Sequence, residues 1–192
     1  MKKITAVYFL LFCIAVSNYK TSYSFKIDRA ILSSNENPMY LDFWPLVAQG
    51  WRSFGIKPTL FLIAADYIPV DETVGDVIRI RPIEGVSTAS HAQIIRLLGP
   101  MYFEGEISII ADIDMLPLNK DYFVNSVVAI PDDKFVVYRD LGYGKNSLRF
   151  PMCYNAGKGY LFKEIFNVKS IEDIPETIKN GLQKVADGKL MR

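Results

Sequence analysis

The sequence predicts an α/β fold in which an open, mostly parallel sheet is flanked by helices. Strand-like and helix-like segments alternate along the chain in the order β-α-β-β-α-β. Two strand candidates, residues 59–65 and 106–111, are almost entirely apolar, which is typical of strands covered on both faces. Half of the 192 residues are hydrophobic, so the chain can bury a sizeable core.

The strand predictions rest on short apolar or β-branched runs bounded by polar, glycine or proline residues. The last two of them lie on either side of a glycine-containing segment. The predicted strands are residues 26–33, 59–65, 77–80, 106–111, 134–138, 152–154 and 160–162.

The first predicted helix begins at Asn37 and Pro38, because a capping side chain precedes a ring whose φ suits the first helical turn. Pro45 should kink or divide this helix, since proline lacks the amide donor that a helix interior requires. Gly55 should end it.

A second helix should be capped by Ser87 or Thr88 and run to about Leu98, before a Gly-Pro pair. Its apolar stripe should include Ile94, Leu97 and Leu98. A terminal helix, or a pair of helices divided near Pro175, is predicted for residues 170–186.

In open α/β sheets, ligands bind beyond the carboxyl ends of the strands. The loops at residues 33–37, around Pro82 and at residues 112–114 should therefore lie on one rim.

Asp112 and Asp114 follow the apolar strand candidate at residues 106–111. In an extended chain, residues two apart point to the same side, so the two carboxylates should converge. Mg²⁺ and Mn²⁺ prefer oxygen ligands and often take one or two carboxylates together with substrate phosphates. Acids enclosed by apolar sequence are costly without a partner, which favours a site over the alternative of a solvated turn.

Residues 109–117, Ile-Ile-Ala-Asp-Ile-Asp-Met-Leu-Pro, resemble the hhhDxD segment of the GT-A glycosyltransferases. The resemblance implies a GT-A fold. It also implies that Asp112 contacts the metal or the donor's ribose and that Asp114 is a metal ligand. The expected cofactor is Mn²⁺ or Mg²⁺, the expected donor is a nucleoside-diphosphate sugar, and the acceptor would be a glycan, lipid or protein.

The segment Tyr-Asn-Ala-Gly at residues 154–157 resembles the Asn-Ala-Gly or Asn-Ser-Gly motif that follows DxD in several GT-A families. The resemblance implies that Asn155, Ala156 and Gly157 line the donor-sugar pocket. A plain hairpin turn is the alternative. Lys158 would either reach a phosphate or face solvent.

Gln93 and Arg96 share one face of the helix that precedes the Asp-x-Asp strand. The same resemblance implies that they lie near the diphosphate or sugar, whereas a solvated helix face is the alternative. It also places the nucleotide base at the loop of residues 33–37, which includes Ser34. Tyr40 would either stack on that base or pack in the core.

Several classes of function and site are disfavoured. The formal charge is only +1 and no concentrated basic face is visible, so a nucleic-acid partner is not expected. Cys153 stands alone in the body of the chain and should be a small buried hydrophobe rather than a zinc ligand. The single histidine, His91, is expected to be structural.

Two rival functions remain open on sequence grounds. A haloacid-dehalogenase-type phosphatase also uses an hhhhDxD strand, but it normally carries Thr or Ser where this chain has Leu116, and its motif lies near the N-terminus. The other rival is a nucleotide-sugar-binding remnant without turnover. Residues 25–192 are expected to form one GT-A-like domain that lacks part of the acceptor half.

Residues 1–24 differ in character from the rest of the chain. Lys2 and Lys3 precede an apolar run over residues 4–16, and small residues would allow cleavage after Ser17. This pattern predicts a signal peptide or an N-terminal anchor, and therefore a secretory or membrane-associated protein. A buried strand or a misassigned start codon is the alternative, which would make the protein cytoplasmic.

Overall fold

A computed structural model of the protein describes residues 24–147 and 150–186, and it confirms the predicted α/β class. All but one residue of the predicted leader lies outside the described residues. The six strands of the sheet are β1 (Arg29–Asn35), β2 (Lys57–Ile63), β3 (Asp76–Ile80), β4 (Ile107–Ile110), β5 (Val136–Val137) and β6 (Asn155–Lys158).

The sheet is open and mostly parallel, with the strand order β3-β2-β1-β4-β6-β5. Strands β1 to β4 run parallel to one another, whereas β6 pairs antiparallel with both β4 and β5. The direction of pairing therefore reverses between β4 and β6. The carboxyl ends of β1 and β4 meet at one edge, as the sequence predicts.

Helices cover both faces of the sheet. Short 3₁₀ turns occur at Gly99–Phe103, Asn125–Val127 and Ile171–Asp173. The α-helices are α1 (Pro38–Leu41), α2 (Trp44–Ser53), α3 (Thr88–Leu98), α4 (Lys120–Phe123), α5 (Gly159–Phe166) and α6 (Ile174–Ala186).

Side chains on the two faces of β1 and β2 belong to two separate hydrophobic clusters. Leu32 and Leu60 pack on one side with Trp44 of α2. Ile31 and Phe61 pack on the other side with residues of α3, α5 and α6. Because successive side chains of a strand point to opposite faces, continuous apolar runs are what a doubly covered sheet requires.

The start and the division of the first predicted helix are confirmed. The Asn37 side chain accepts a hydrogen bond from the Met39 amide at 3.0 Å, so it caps α1. The chain then breaks, and α2 begins with Pro45 in its first turn, where its missing amide hydrogen costs nothing. Gly55 follows the helix with φ of +81°, a conformation that suits glycine.

Helix α3 is capped by the Ser87 side chain, which accepts a hydrogen bond from the Ser90 amide. The buried stripe differs from the predicted one. Ile95 and Leu98 are buried, whereas Ile94 and Leu97 are only half-buried. Both faces of α3 carry apolar residues, which made the stripe ambiguous in the sequence.

The predicted strands at residues 152–154 and 160–162 are wrong. Residues 152–154 form a bend, and Tyr154 has φ of +41°, which is incompatible with a strand. Residues 160–162 belong to α5, whose buried side is formed by Phe162 and, one turn later, Phe166. The run was too short to separate a strand period from a helical one.

None of the helices in the described part of the chain has both the length and the apolar character needed to cross a bilayer.

Candidate functional site

A pocket of about 560 Å³ opens at the carboxyl ends of β1 and β4, beside α3. Its volume is in the range of small-molecule sites, and its position is where open α/β sheets bind ligands. The loops after β1 and β4 supply most of its wall. The lining residues are Ser33, Ser34, Asn35, Asn37, Tyr40, Ala89, Ala92, Gln93, Arg96, Asp112, Ile113, Asp114, Met115 and Met152.

Arg96 is the buried charge of this pocket, with only 8% of its surface exposed. Its guanidinium forms an ion pair with the carboxylate of Asp112 and reaches the carbonyl oxygen of Ala111 at 3.5 Å. No atom of the described residues accepts a hydrogen bond from Nε of Arg96. A buried guanidinium needs anionic partners, and this one has donor capacity beyond Asp112.

The two aspartates lie in a turn rather than in extended chain. The Met115 amide donates to the Asp112 carbonyl at 3.3 Å, which closes the turn, and Ile113 is buried between them. The extended geometry expected from the sequence is therefore wrong. Both aspartates nevertheless line the pocket, since the turn at the strand end keeps them on its wall.

Asp112 and Asp114 differ in their surroundings. Asp112 is half-buried and paired with Arg96, whereas Asp114 is exposed and has no hydrogen-bond or ion-pair partner among the described residues. An unpaired carboxylate beside a polar pocket is available to a cation. Asp114 is thus the more accessible of the two acids.

The remaining predicted residues on the nucleotide side also lie at the pocket. Ser34 is buried, and its hydroxyl donates to the Asn35 carbonyl at 2.9 Å, so it offers lone pairs rather than a free donor. Gln93 is exposed on the pocket face of α3. Tyr40 lies at the rim and is 44% exposed, so the alternative that it packs in the core is wrong.

The structure does not place Asn155, Ala156 or Gly157 on the pocket wall, contrary to the expectation. Asn155 pairs with Ile110, the last residue of β4, so it lies at the correct end of the sheet. Its buried amide donates to the carbonyls of Pro151 and Met152, both at 3.0 Å. Because Met152 lines the pocket, Asn155 acts on the site through the bend that it holds.

Ala156 and Gly157 continue β6 away from the pocket, and both are buried. A Cβ on Gly157 would lie 3.1 Å from the Phe135 ring. The space beside this glycine is therefore filled by a side chain of the protein rather than left open for a ligand. Lys158 pairs with Ile107 at the opposite end of β4 and forms an ion pair with Asp132. The hairpin-turn alternative is wrong as well, since the segment is a strand.

Sequence reasoning missed two residues beside Asp112. Cys153 is buried, and burial, together with its hydrogen bond to the Asp112 carboxylate, raises the pKa of its thiol. The exposed Arg139 donates to the Cys153 sulfur at 3.2 Å. Neither residue belongs to a recognisable motif, and only the sheet pairing that places β6 beside β4 brings them to the aspartates.

His91 lies outside the pocket on α3 and is almost fully buried. Burial lowers its pKa below 6.5, which favours the neutral imidazole. In residues 24–147 and 150–186, no cluster of three or more His, Cys, Asp or Glu side chains could hold a metal.

No protein-family model and no curated protein matches this sequence. Among solved structures, the chain is similar to the glycosyltransferase GlyE of Streptococcus pneumoniae TIGR4, with 12% identity and a TM-score of 0.44. The match covers 82% of this chain and 43% of GlyE, and the apo form of GlyE gives the same identity and TM-score. The chain thus spans less than half the length of this enzyme.

Proposed function

We propose that the protein is a metal-dependent glycosyltransferase that moves a sugar from a nucleoside-diphosphate sugar to an acceptor. One observation carries the proposal: a pocket at the carboxyl edge of the sheet joins a buried arginine to two aspartates of an Asp-x-Asp motif. The combination provides both a fixed cation and carboxylates for a mobile one. The negatively charged oxygens of a diphosphate require cations of this kind beside them.

The donor set suits Mn²⁺ or Mg²⁺ when a substrate diphosphate completes it. Mg²⁺ in particular is commonly held by one or two carboxylates together with substrate phosphates, and two carboxylates are present here. Asp114 has no competing partner in the described structure. Asp112 is paired with Arg96 and also accepts a hydrogen bond from the Cys153 thiol, and the remaining lone pairs of its carboxylate could bind a metal. When bound, the metal would supply Lewis-acid neutralisation of the leaving nucleotide.

Arg96 and Asp112 would have different roles in the transfer reaction. In transfer, the bond between the sugar's anomeric carbon and the diphosphate oxygen breaks and a bond to the oxygen of an acceptor hydroxyl forms. The products are the glycoside, the nucleoside diphosphate and the proton of that hydroxyl. Arg96 would hold the diphosphate through the guanidinium donors that Asp112 does not use, and Asp112 would keep that guanidinium in place. Such preorganised charge stabilises the charge that develops on the leaving group.

The loop after β1 would receive the nucleoside. Ser34 and Asn35 end this strand at the pocket, and the exposed ring of Tyr40 stands at its rim. A nucleobase can stack on an exposed aromatic ring, and serine and asparagine side chains can bond a ribose or base edge. Gln93 would contribute a further polar group from α3.

The acceptor in this proposal is a glycan, a lipid or a protein, and no nucleic acid is involved. The leader pattern at residues 1–24 supports a secretory or membrane-associated location. The described lining of the pocket contains no carboxylate besides Asp112 and Asp114, so no residue is assigned as a catalytic base.

Calorimetry against a panel of nucleotide sugars, each with and without Mn²⁺, tests the proposal. We expect one donor to bind in a Mn²⁺-dependent manner. We also expect the protein to release the nucleoside diphosphate of that donor slowly when acceptors are present. Binding without any release of nucleotide would identify a nucleotide-sugar-binding protein instead. Absence of binding to every donor, with a folded protein, would contradict the proposal.

A further inference from the structure

Arg139 is an exposed arginine in the loop that follows β5. Its Nη1 donates to the sulfur of Cys153 at 3.2 Å. Among the described residues it forms no ion pair with a carboxylate. Among the described residues, the sulfur of Cys153, a weak acceptor just before the start of β6, is the one side-chain hydrogen-bond partner of this guanidinium.

Cys153 connects this arginine to the aspartates. Its thiol is hydrogen-bonded to the carboxylate of Asp112, which is also paired with Arg96. The residue before it, Met152, lines the pocket. Arg96 of α3 therefore contacts Asp112 directly. Arg139, in the loop after β5, is separated from that carboxylate by one side chain, that of Cys153.

The two arginines differ in what they would lose when an anion enters. Arg96 is buried and bonded to a carboxylate, so it is fixed in place. Arg139 is exposed and bonded to sulfur, which is a weak acceptor. Exchanging that bond for charge-assisted bonds to phosphate oxygens is favourable, because guanidinium and phosphate match in geometry and charge.

We propose that Arg139 is a second phosphate-binding residue, which releases Cys153 and binds the diphosphate of the donor together with Arg96. The inference rests on the proposed function, since it requires a nucleoside diphosphate in the pocket. It adds a residue that no motif indicates, and it makes the site bind a diphosphate more tightly than a monophosphate.

The test compares the parent protein with Arg139→Gln and Arg139→Lys by calorimetry in Mn²⁺. The probes are UDP, GDP, ADP, CDP and dTDP and the corresponding monophosphates. We expect Arg139→Gln to weaken the tightest diphosphate by about tenfold, the scale of one charge-assisted hydrogen bond, and to weaken its monophosphate less. Arg139→Lys, which keeps the charge, should fall between Arg139→Gln and the parent.

Two further variants separate direct binding from indirect effects. Arg81→Gln removes the same charge from an exposed residue outside the pocket and should leave diphosphate affinity unchanged. Cys153→Ala removes the sulfur that holds Arg139. If Arg139 binds the ligand itself, Cys153→Ala should lose far less affinity than Arg139→Gln.

Parent-like diphosphate affinity in Arg139→Gln would overturn this inference and leave the proposed function standing. The same holds if Cys153→Ala reproduces the whole loss, because Arg139 would then act only by positioning Asp112. If the parent itself binds no nucleotide, the proposed function and this inference fall together.

Discussion

Asn155 shows how a single side chain controls the pocket without lining it. Its amide donates to two successive carbonyls, those of Pro151 and Met152, and thereby fixes the bend before β6. Tyr154 completes the bend in a left-handed conformation, which is unfavourable for a residue with a side chain. Packing of its ring against Trp51 and Phe123 offsets this cost.

The substitution Asn155→Asp should destabilise the protein by about 1–3 kcal/mol, because it places a carboxylate against two carbonyl oxygens in a buried position. Urea unfolding followed by circular dichroism measures this loss. Asn146→Asp makes the same chemical change at an exposed position and serves as the control. Equal stabilities for the two variants would show that the bend does not depend on Asn155.

Gly159, at the start of α5, allows this helix to pack closely against the 3₁₀ turn that follows α3. A Cβ on Gly159 would lie 2.3 Å from the carbonyl oxygen of Pro100 and 2.7 Å from the Cα of Glu104. Both atoms belong to the backbone, which cannot give way as a flexible side chain can. The absence of a side chain at this position therefore lets α5 lie against the 3₁₀ turn that follows α3.

We expect Gly159→Ala to lower the free energy of unfolding by about 1–3 kcal/mol or more, the usual cost of overpacking. Gly181→Ala is the matched control, since a methyl group added there would have no neighbour within 4 Å and the residue stands inside α6. Alanine should there stabilise the helix by about 0.5–1 kcal/mol. Thermal or urea unfolding of both variants checks the opposite signs, and a neutral Gly159→Ala would contradict the packing described.

At the scale of elements, prediction succeeded where several signals agreed. The Asn37 cap, the proline at the start of α2 and the glycine after it mark that part of the chain without reference to tertiary contacts. It failed at residues 152–162, where Asn-Ala-Gly looks like a turn but is a strand. That strand exists only because β4 and β5 are present to pair with it.

The whole molecule buries its single histidine, and this should make stability depend on pH. Burial lowers the pKa of His91, so the folded state resists protonation more than the unfolded state does. Well above about pH 6.5 the imidazole is neutral in both states, so its burial then costs no stability by this route. As pH falls below this value, the unfolded state takes up the proton first and stability declines.

The free energy of unfolding should therefore fall as the pH drops below about 6.5, with a slope of up to about 1.4 kcal/mol per pH unit. Urea titrations at several pH values measure this slope. In His91→Gln, which cannot gain a charge, the decline below this pH should be smaller. Identical slopes in the parent and the variant would show that the histidine does not govern the effect.

The fold and half of the site were accessible from sequence for the same physical reason. Parallel strands bring their carboxyl ends to one edge, so Ser34, Asp112 and Asp114 could be placed together from the order of the strands. Arg96 was expected there only from the resemblance to the GT-A glycosyltransferases. The contributions of Arg139, Cys153 and Met152 depend on the antiparallel addition of β6 and on one bend. Such contacts leave no periodic signal in the chain.

The measurement that tests the central claim most directly is the affinity of Asp114→Ala for the nucleoside diphosphate that the parent binds most tightly. Because Asp114 is exposed and unpaired among the described residues, its loss should leave the fold intact. Titrations with and without Mn²⁺ should include Glu164→Ala, which removes an exposed carboxylate of α5 outside the pocket.

We predict that Asp114→Ala loses the Mn²⁺-dependent part of its affinity for the nucleoside diphosphate. The expected loss is about a hundredfold, because the substitution removes a charged side chain that binds the metal. Glu164→Ala should bind as the parent does. Parent-like affinity of a folded Asp114→Ala in Mn²⁺ would contradict the assignment of this pocket.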